Sequence, residues 1–237
     1  MRGRVIKIGL SQADELETEV ENETVRPAVG TIPLPLAWTP ERFAKVQVQG
    51  LVRQVFFPHH GPPAKQVVFI PIDQETAARR VCRRAGETLA EETAGAVAVL
   101  GSYSRRLRHS EPLSAPRAPD DLTPLKREAI RVRNNLWLVS SSPSEAETAS
   151  DLQSYLLEIR QQFEYSIVEA PHLCDSIVAQ TFAQLADGIV LVLCAQRTRR
   201  MAAFRAVESF EKTGTPILGV VLTDRTFPIP EPIYRRL

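Results

Sequence analysis

From Gln66 onward the chain alternates short apolar runs with stretches whose apolar residues recur at helical spacing. The runs VVFIP (67–71), AVAVLG (96–101), NLWLVSS (135–141), YSIVEA (165–170), GIVLVLCA (188–195) and PILGVVL (216–222) show little polar alternation. That pattern predicts strands covered on both faces. Between them, helices are predicted over Gln74–Thr93, Glu145–Phe163, Ser176–Leu185 and Thr198–Lys212. In the second of these, Leu152, Tyr155, Leu156, Ile159 and Phe163 fall on one face. A further helix opens at Thr39-Pro40-Glu41, where threonine can cap, proline suits the first turn and an acid favours the helix dipole. It should end before Pro58. Strand, helix and strand repeated in this way predict a three-layer, doubly wound α/β domain with a mainly parallel sheet and right-handed crossovers.

Two stretches stand outside this alternation. Ser11–Thr24, SQADELETEVENET, is acidic and lacks aromatics, and Pro27, Pro33 and Pro35 follow it. Residues 1–38 therefore read as an extended N-terminal arm, with Ile32, Leu34, Leu36 and Trp38 as its docking residues. One α/β domain over 39–237 completes the organisation. Ser102–Pro124 is proline-rich and polar and reads as a surface loop.

Charge and composition narrow the class. Lysine and arginine total 29 against 28 acids, a net charge of +1, so no global field draws the protein to nucleic acid or to an anionic membrane. The longest apolar run, Gly188–Ala195, is far short of the roughly 20 residues that cross a bilayer, and the acid-rich N-terminus does not read as a signal peptide. Cys82, Cys174 and Cys194 are dispersed, which fits a reducing compartment and no zinc ribbon. Cytoplasm is the expected location. His172 and Cys174 near Glu169, the His59-His60 pair and His109 all lack metal-ligand spacing, so no metal site is expected. Ser140–Ser142 lack the glycines of a nucleophile elbow and read as a turn. Glycine is scarce, 11 residues against 18 prolines.

The segments FEYSIVEAPHL, LADGIVLVLCAQRTRR and GTPILGVVLTDRTFPIPEPIYRRL together resemble the C-terminal half of the bacterial tyrosine kinases of capsule and exopolysaccharide synthesis. Those enzymes have the MinD/ParA-type P-loop fold. The resemblance spans Thr39–Leu237 and is densest over 161–237. It implies a P-loop NTPase-like fold and, in an active enzyme, a Mg-ATP site with a glycine-rich phosphate cradle, a lysine and metal-binding aspartates. After the first strand, however, FIPIDQETAARRVCRRA (69–85) contains neither glycine nor lysine. Thr76, the one hydroxyl there, is either a surviving metal-ligand threonine or a helix-start residue. Gly101 and Tyr103 stand where the family has two aspartates, while Arg105 and Arg106 match its basic residues. Glu169 stands where the family's third aspartate is, either holding a metal-bound water in a remodelled site or capping the next loop.

Arg79, Arg80, Arg83 and Arg84 form either an anion site at a helix start or a solvated face paired with Glu87. Arg197, Arg199 and Arg200 lie at a carboxyl edge where open α/β sheets bind ligands, and contact either an anion, a neighbouring subunit or solvent alone. No catalytic residue and no cofactor are expected. ATP and magnesium enter only if the site is rebuilt around Thr76 and Glu169. The expectation is thus a pseudokinase: a degenerate relative of the kinase family that regulates polysaccharide polymerisation or export by binding protein. By family analogy its partner is a membrane polysaccharide chain-length or export protein, or a kinase paralogue, which would recruit it to the inner membrane; self-association is a further expectation. The alternatives are a divergent ATPase or tyrosine kinase, and a MinD/ParA-like positioning protein.

Overall fold

The computed structural model describes residues 5–6, 40–74, 76, 78–101, 129–140, 148–173 and 177–224. Helix α1 (Pro40–Phe56) leads into strand β2 (Gln66–Pro71), followed by α2 (Ala78–Glu92) and β3 (Val97–Gly101). A hairpin of β4 (Ile130–Arg133) and β5 (Leu136–Ser140) comes next, then α3 (Ala149–Gln162) and β6 (Tyr165–Glu169). Helix α4 (Ile177–Leu185), β7 (Gly188–Cys194), α5 (Arg200–Lys212) and β8 (Ile217–Thr223) complete the series. Within the stretch expected as an arm, Val5–Ile6 form a two-residue strand, β1.

These strands make one sheet in the order β1-β8-β7-β2-β6-β3-β5-β4. Every pairing is parallel except β4 with β5, so the expected doubly wound α/β architecture is present with an antiparallel edge. The strand residues alternate between two cores. Val67 and Phe69, Val97 and Val99, and Val190 and Val192 pack with α1 and α2. Val68 and Ile70, Ala98 and Leu100, and Ile189 and Leu191 pack with α3, α4 and α5 on the other face. Burial on both faces is why the strand sequences are continuous apolar runs, and it supplies the main driving force for the fold.

Several boundaries are set by chemistry that apolar periodicity does not display. Helix α3 begins at Ala149 because Thr148 caps it: the Thr148 hydroxyl accepts from the Asp151 amide at 3.3 Å, and Asp151 Oδ2 accepts from the Thr148 amide at 3.0 Å. Helix α2 begins at Ala78, not at Gln74, because a turn comes first in which the Thr76 amide donates to Asp73 O at 3.2 Å. The edge strand β4 carries Arg131 and Arg133 and a register shift between them, which makes that edge a poor template for further pairing.

The chain passes from β2 outward to β3 and the β4–β5 hairpin, then returns to β6 and crosses β2 to reach β7. The winding direction therefore reverses beside the carboxyl end of β2. In open α/β sheets that crevice is where ligands bind.

Candidate functional site

Three loops meet at this crevice. The first follows β2 and contains Asp73 and Thr76; the second follows β6, which ends in Glu169; the third joins β7 to α5 and contains Arg197–Arg199. The first two are sewn together, since the Ala170 amide donates to Phe69 O and the Leu173 amide donates to Pro71 O, each at 3.0 Å. The first and third are joined through side chains. Thr198 Oγ1 donates to Asp73 Oδ2 at 2.5 Å and accepts from the Cys194 amide at 2.8 Å.

Arg79 projects from the first turn of α2 toward Glu169 at the end of β6, with Nε 3.6 Å from Oε2. The two residues were separate candidates in the sequence; the fold makes them an ion pair. The glutamate side chain is 17% exposed and that of the arginine 53%. Gly101, at the end of β3, lies beneath this carboxylate: a Cβ there would sit 2.3 Å from Glu169 Oε2 and 3.3 Å from Glu169 Cβ. The missing side chain at Gly101 thus provides the space that Glu169 fills.

Burial pushes the Glu169 carboxyl above its ordinary value of 4.5, and the Arg79 guanidinium opposes this only in part. Its Oε2 is buried without a hydrogen-bond partner among the described residues, as is the hydroxyl of Thr76. A carboxyl whose pKa is raised by folding contributes stability that is present below the ordinary value of 4.5 and lost as pH rises through the folded value. Glu169→Gln should therefore be at least as stable as the parent at pH 7. Its advantage in melting temperature should vanish as pH falls toward 4.5, because Arg79 is too exposed to lose much with its partner. A Glu169→Gln protein that melts lower than the parent at pH 7 would show that the ion pair, and not the burial, dominates.

The remaining candidates scatter around the crevice. Arg83 pairs with Glu87 at 3.0 Å along α2, and Arg80 is half-buried on the same helix. Arg197, Arg199 and Arg200 are exposed at the β7–α5 junction, Arg199 at the N-cap position of α5 with no side-chain capping bond. His172 is half-buried in the loop after β6, and His59 and His60 lie exposed in the α1–β2 loop. Tyr103, Arg105, Arg106, His109, Cys174, Ser141 and Ser142 lie outside the described residues. No group of three or more His, Cys, Asp or Glu side chains suited to a metal ion occurs among the described residues.

Two neighbouring residues carried no signal in the sequence. Cys194 Sγ donates to Asp224 Oδ2 at 3.4 Å, and Asp224 occupies a left-handed conformation with φ of 52°. Burial and the Asp224 carboxylate both push the Cys194 thiol above its ordinary range.

The winding, the two covered faces and the crevice beside β2 place the chain in the P-loop NTPase-like class of α/β folds. More particularly, its fold is that of bacterial tyrosine kinase domains and of MinD/ParA ATPases. The kinase domain of the Escherichia coli tyrosine kinase ETK superposes with a TM-score of 0.65 at 13% identity, over 96% of this chain and 93% of that one. The VpsO kinase domain gives 0.60 at 14% identity, over 78% and 98%. The MinD cell division protein of Aquifex aeolicus gives 0.52 at 16%, over 69% and 70%. No protein-family model and no curated protein sequence matches the chain.

Proposed function

We propose that this domain is a non-catalytic relative of the exopolysaccharide tyrosine kinases and works by binding another protein. The observation that carries the reading is the loop between β2 and α2. A phosphate cradle needs free backbone amides, glycines that permit close approach and a lysine. Here the Thr76 amide is used on Asp73 O, the loop has neither glycine nor lysine, and it carries the Asp73 carboxylate, which is held by Thr198. A carboxylate at that point repels phosphate oxygens. Gly101 supplies no metal-binding oxygen, and Glu169 is turned onto Arg79. The residues present therefore do not fit Mg-ATP, and catalysis that depends on positioning and clamping phosphates loses its parts together.

The resemblance of the 161–237 segments to the kinase family supports a partner at the inner membrane, either a polysaccharide chain-length or export protein or a kinase paralogue, with the domain itself on the cytoplasmic side. Among the described residues no helix is long and apolar enough to cross a membrane. One observation favours a second reading, a divergent ATPase: Thr76, 9% exposed, keeps a hydroxyl without a partner among the described residues. Titration calorimetry and thermal melting with millimolar Mg-ATP separate the two. A ligand that binds only the folded state raises apparent stability by mass action, by about 2.7 kcal/mol at a hundredfold excess over Kd. The expected result is no heat and no change in melting temperature. A rise that Thr76→Ala abolishes would establish a nucleotide site there, and phosphate release by the same protein would then establish the ATPase reading instead.

A further inference from the structure

The first two turns of α5 present an exposed face that is both apolar and basic. Arg200, Met201, Phe204 and Arg205 recur at spacings that put them side by side on a helix, with Arg199 at the N-cap. Met201 is 61% exposed and Phe204 54%, although both are large and apolar. The Arg200 guanidinium lies over the Phe204 ring at 5.2 Å. No acid occurs in α5 before Glu208, and that carboxylate pairs with Lys212 at 2.8 Å. Arginine, methionine and an aromatic ring without lysine are the composition of a protein interface core. The face calls for an acidic segment carrying apolar side chains.

The chain contains such a segment. SQADELETEVENET (11–24) has six acids and no cation, and its Leu16 and Val20 lie four residues apart in sequence, against three for Met201 and Phe204. Its attachment point is also suitable. Ile6 pairs in parallel with Val221 of β8, so the chain leaves β1 toward the carboxyl edge of the sheet, where α5 begins. β1 is two strands from β7, a separation of roughly 10 Å. Residues 7–13 can span roughly 23 Å, enough to bring Asp14 to α5.

We propose that residues 11–24 dock on the Arg200, Met201, Phe204 and Arg205 face of α5 in the same molecule. A short tether gives such a segment an effective concentration in the millimolar range, so it excludes the same sequence offered from solution. The proposal does not rest on the reading of the β2–α2 loop, and its failure leaves that reading untouched.

The test uses a fluorescently labelled peptide of residues 11–24 and three forms of the full chain. The first is unmodified. The second carries Asp14→Asn, Glu15→Gln, Glu17→Gln, Glu19→Gln, Glu21→Gln and Glu23→Gln, which removes the internal competitor. The third adds Arg200→Glu and Arg205→Glu to the second. Melting curves establish that each form is folded. The peptide should bind the second form at low salt at least tenfold more tightly than either of the others, and replacing Met201 and Phe204 by alanine in the second form should weaken it further. Absence of binding to the second form, equal affinity for the first and second, or equal affinity for the second and third would overturn the proposal. So would sedimentation showing that the unmodified chain dimerises and the second form does not, because the segment would then dock on a second copy.

Discussion

Gly101→Asp should destabilise the domain by roughly 2–4 kcal/mol at pH 7, lowering its melting temperature by roughly 5–15 °C. A Cβ at this position already meets Glu169 Oε2 at 2.3 Å, and aspartate adds a second carboxylate beside one that burial alone disfavours. Relief requires Glu169 to swing out and leave Arg79. Gly101→Ala should show a smaller loss, since only the steric part applies. The double variant Gly101→Asp with Glu169→Ala should recover most of the stability. Acidification should narrow the gap between parent and Gly101→Asp, because two adjacent carboxyls that share a proton no longer repel. Full stability of Gly101→Asp at pH 7 would mean that the end of β3 and Glu169 are not in contact.

Asp187→Ala should cost a similar amount, roughly 2–4 kcal/mol, by a different route. Asp187 Oδ2 accepts from the backbone amides of Lys65 and Gln66, each at 2.8 Å, while Oδ1 accepts from Arg160 at 2.6 Å. Arg160 Nε also donates to Gln66 Oε1, and Nε2 of the same fully buried side chain donates to Leu156 O. Alanine leaves the two amides at the start of β2 without their acceptor and unties α3 from the sheet. Burial raises the Asp187 carboxyl, but the Gln66 amide, Arg160 and the Lys65 amide outweigh it and hold the group below its ordinary 3.8. A carboxyl lowered by folding contributes stability that is fully present above 3.8 and lost as pH falls through the folded value. The difference between parent and Asp187→Ala in urea unfolding should accordingly be flat from about pH 5 to 8 and shrink below about pH 4. A difference that persists unchanged at the acid end would assign the loss to packing and not to the carboxylate.

These residues show where sequence reading reaches its limit. The strands of the central sheet were legible because burial on two faces demands continuous apolar residues, in runs too short for a buried helix. Strand β4, with the sequence IRVR, has no such run. Its place follows from the turn at Asn134-Asn135 and from Arg131 lying over Trp137 at 5.4 Å. Asn135 in turn donates to the carbonyls of Ala90, Thr93 and Gly95 and so fixes the α2–β3 corner from 40 or more residues away. The Thr148–Asp151 capping pair was readable in principle from its spacing, yet apolar periodicity alone put the expected helix start at Glu145, ahead of the cap. Asp187 lies within the LADGIVLVLCA phrase, but no local feature marks its bonds to Lys65 and Gln66, more than 120 residues earlier.

By itself the sequence determined the layer architecture and the absence of glycine and lysine over 69–85, because apolar periodicity and local composition are properties of single segments. Only the tertiary structure decided what occupies the crevice instead. Arg79, Gly101 and Glu169 belong to three segments whose order in the sheet is not their order in the chain, and Asp73 meets Thr198 across 125 residues. Such contacts follow from parallel crossovers bringing distant strand ends to one edge, a constraint of closure and burial that no single segment records.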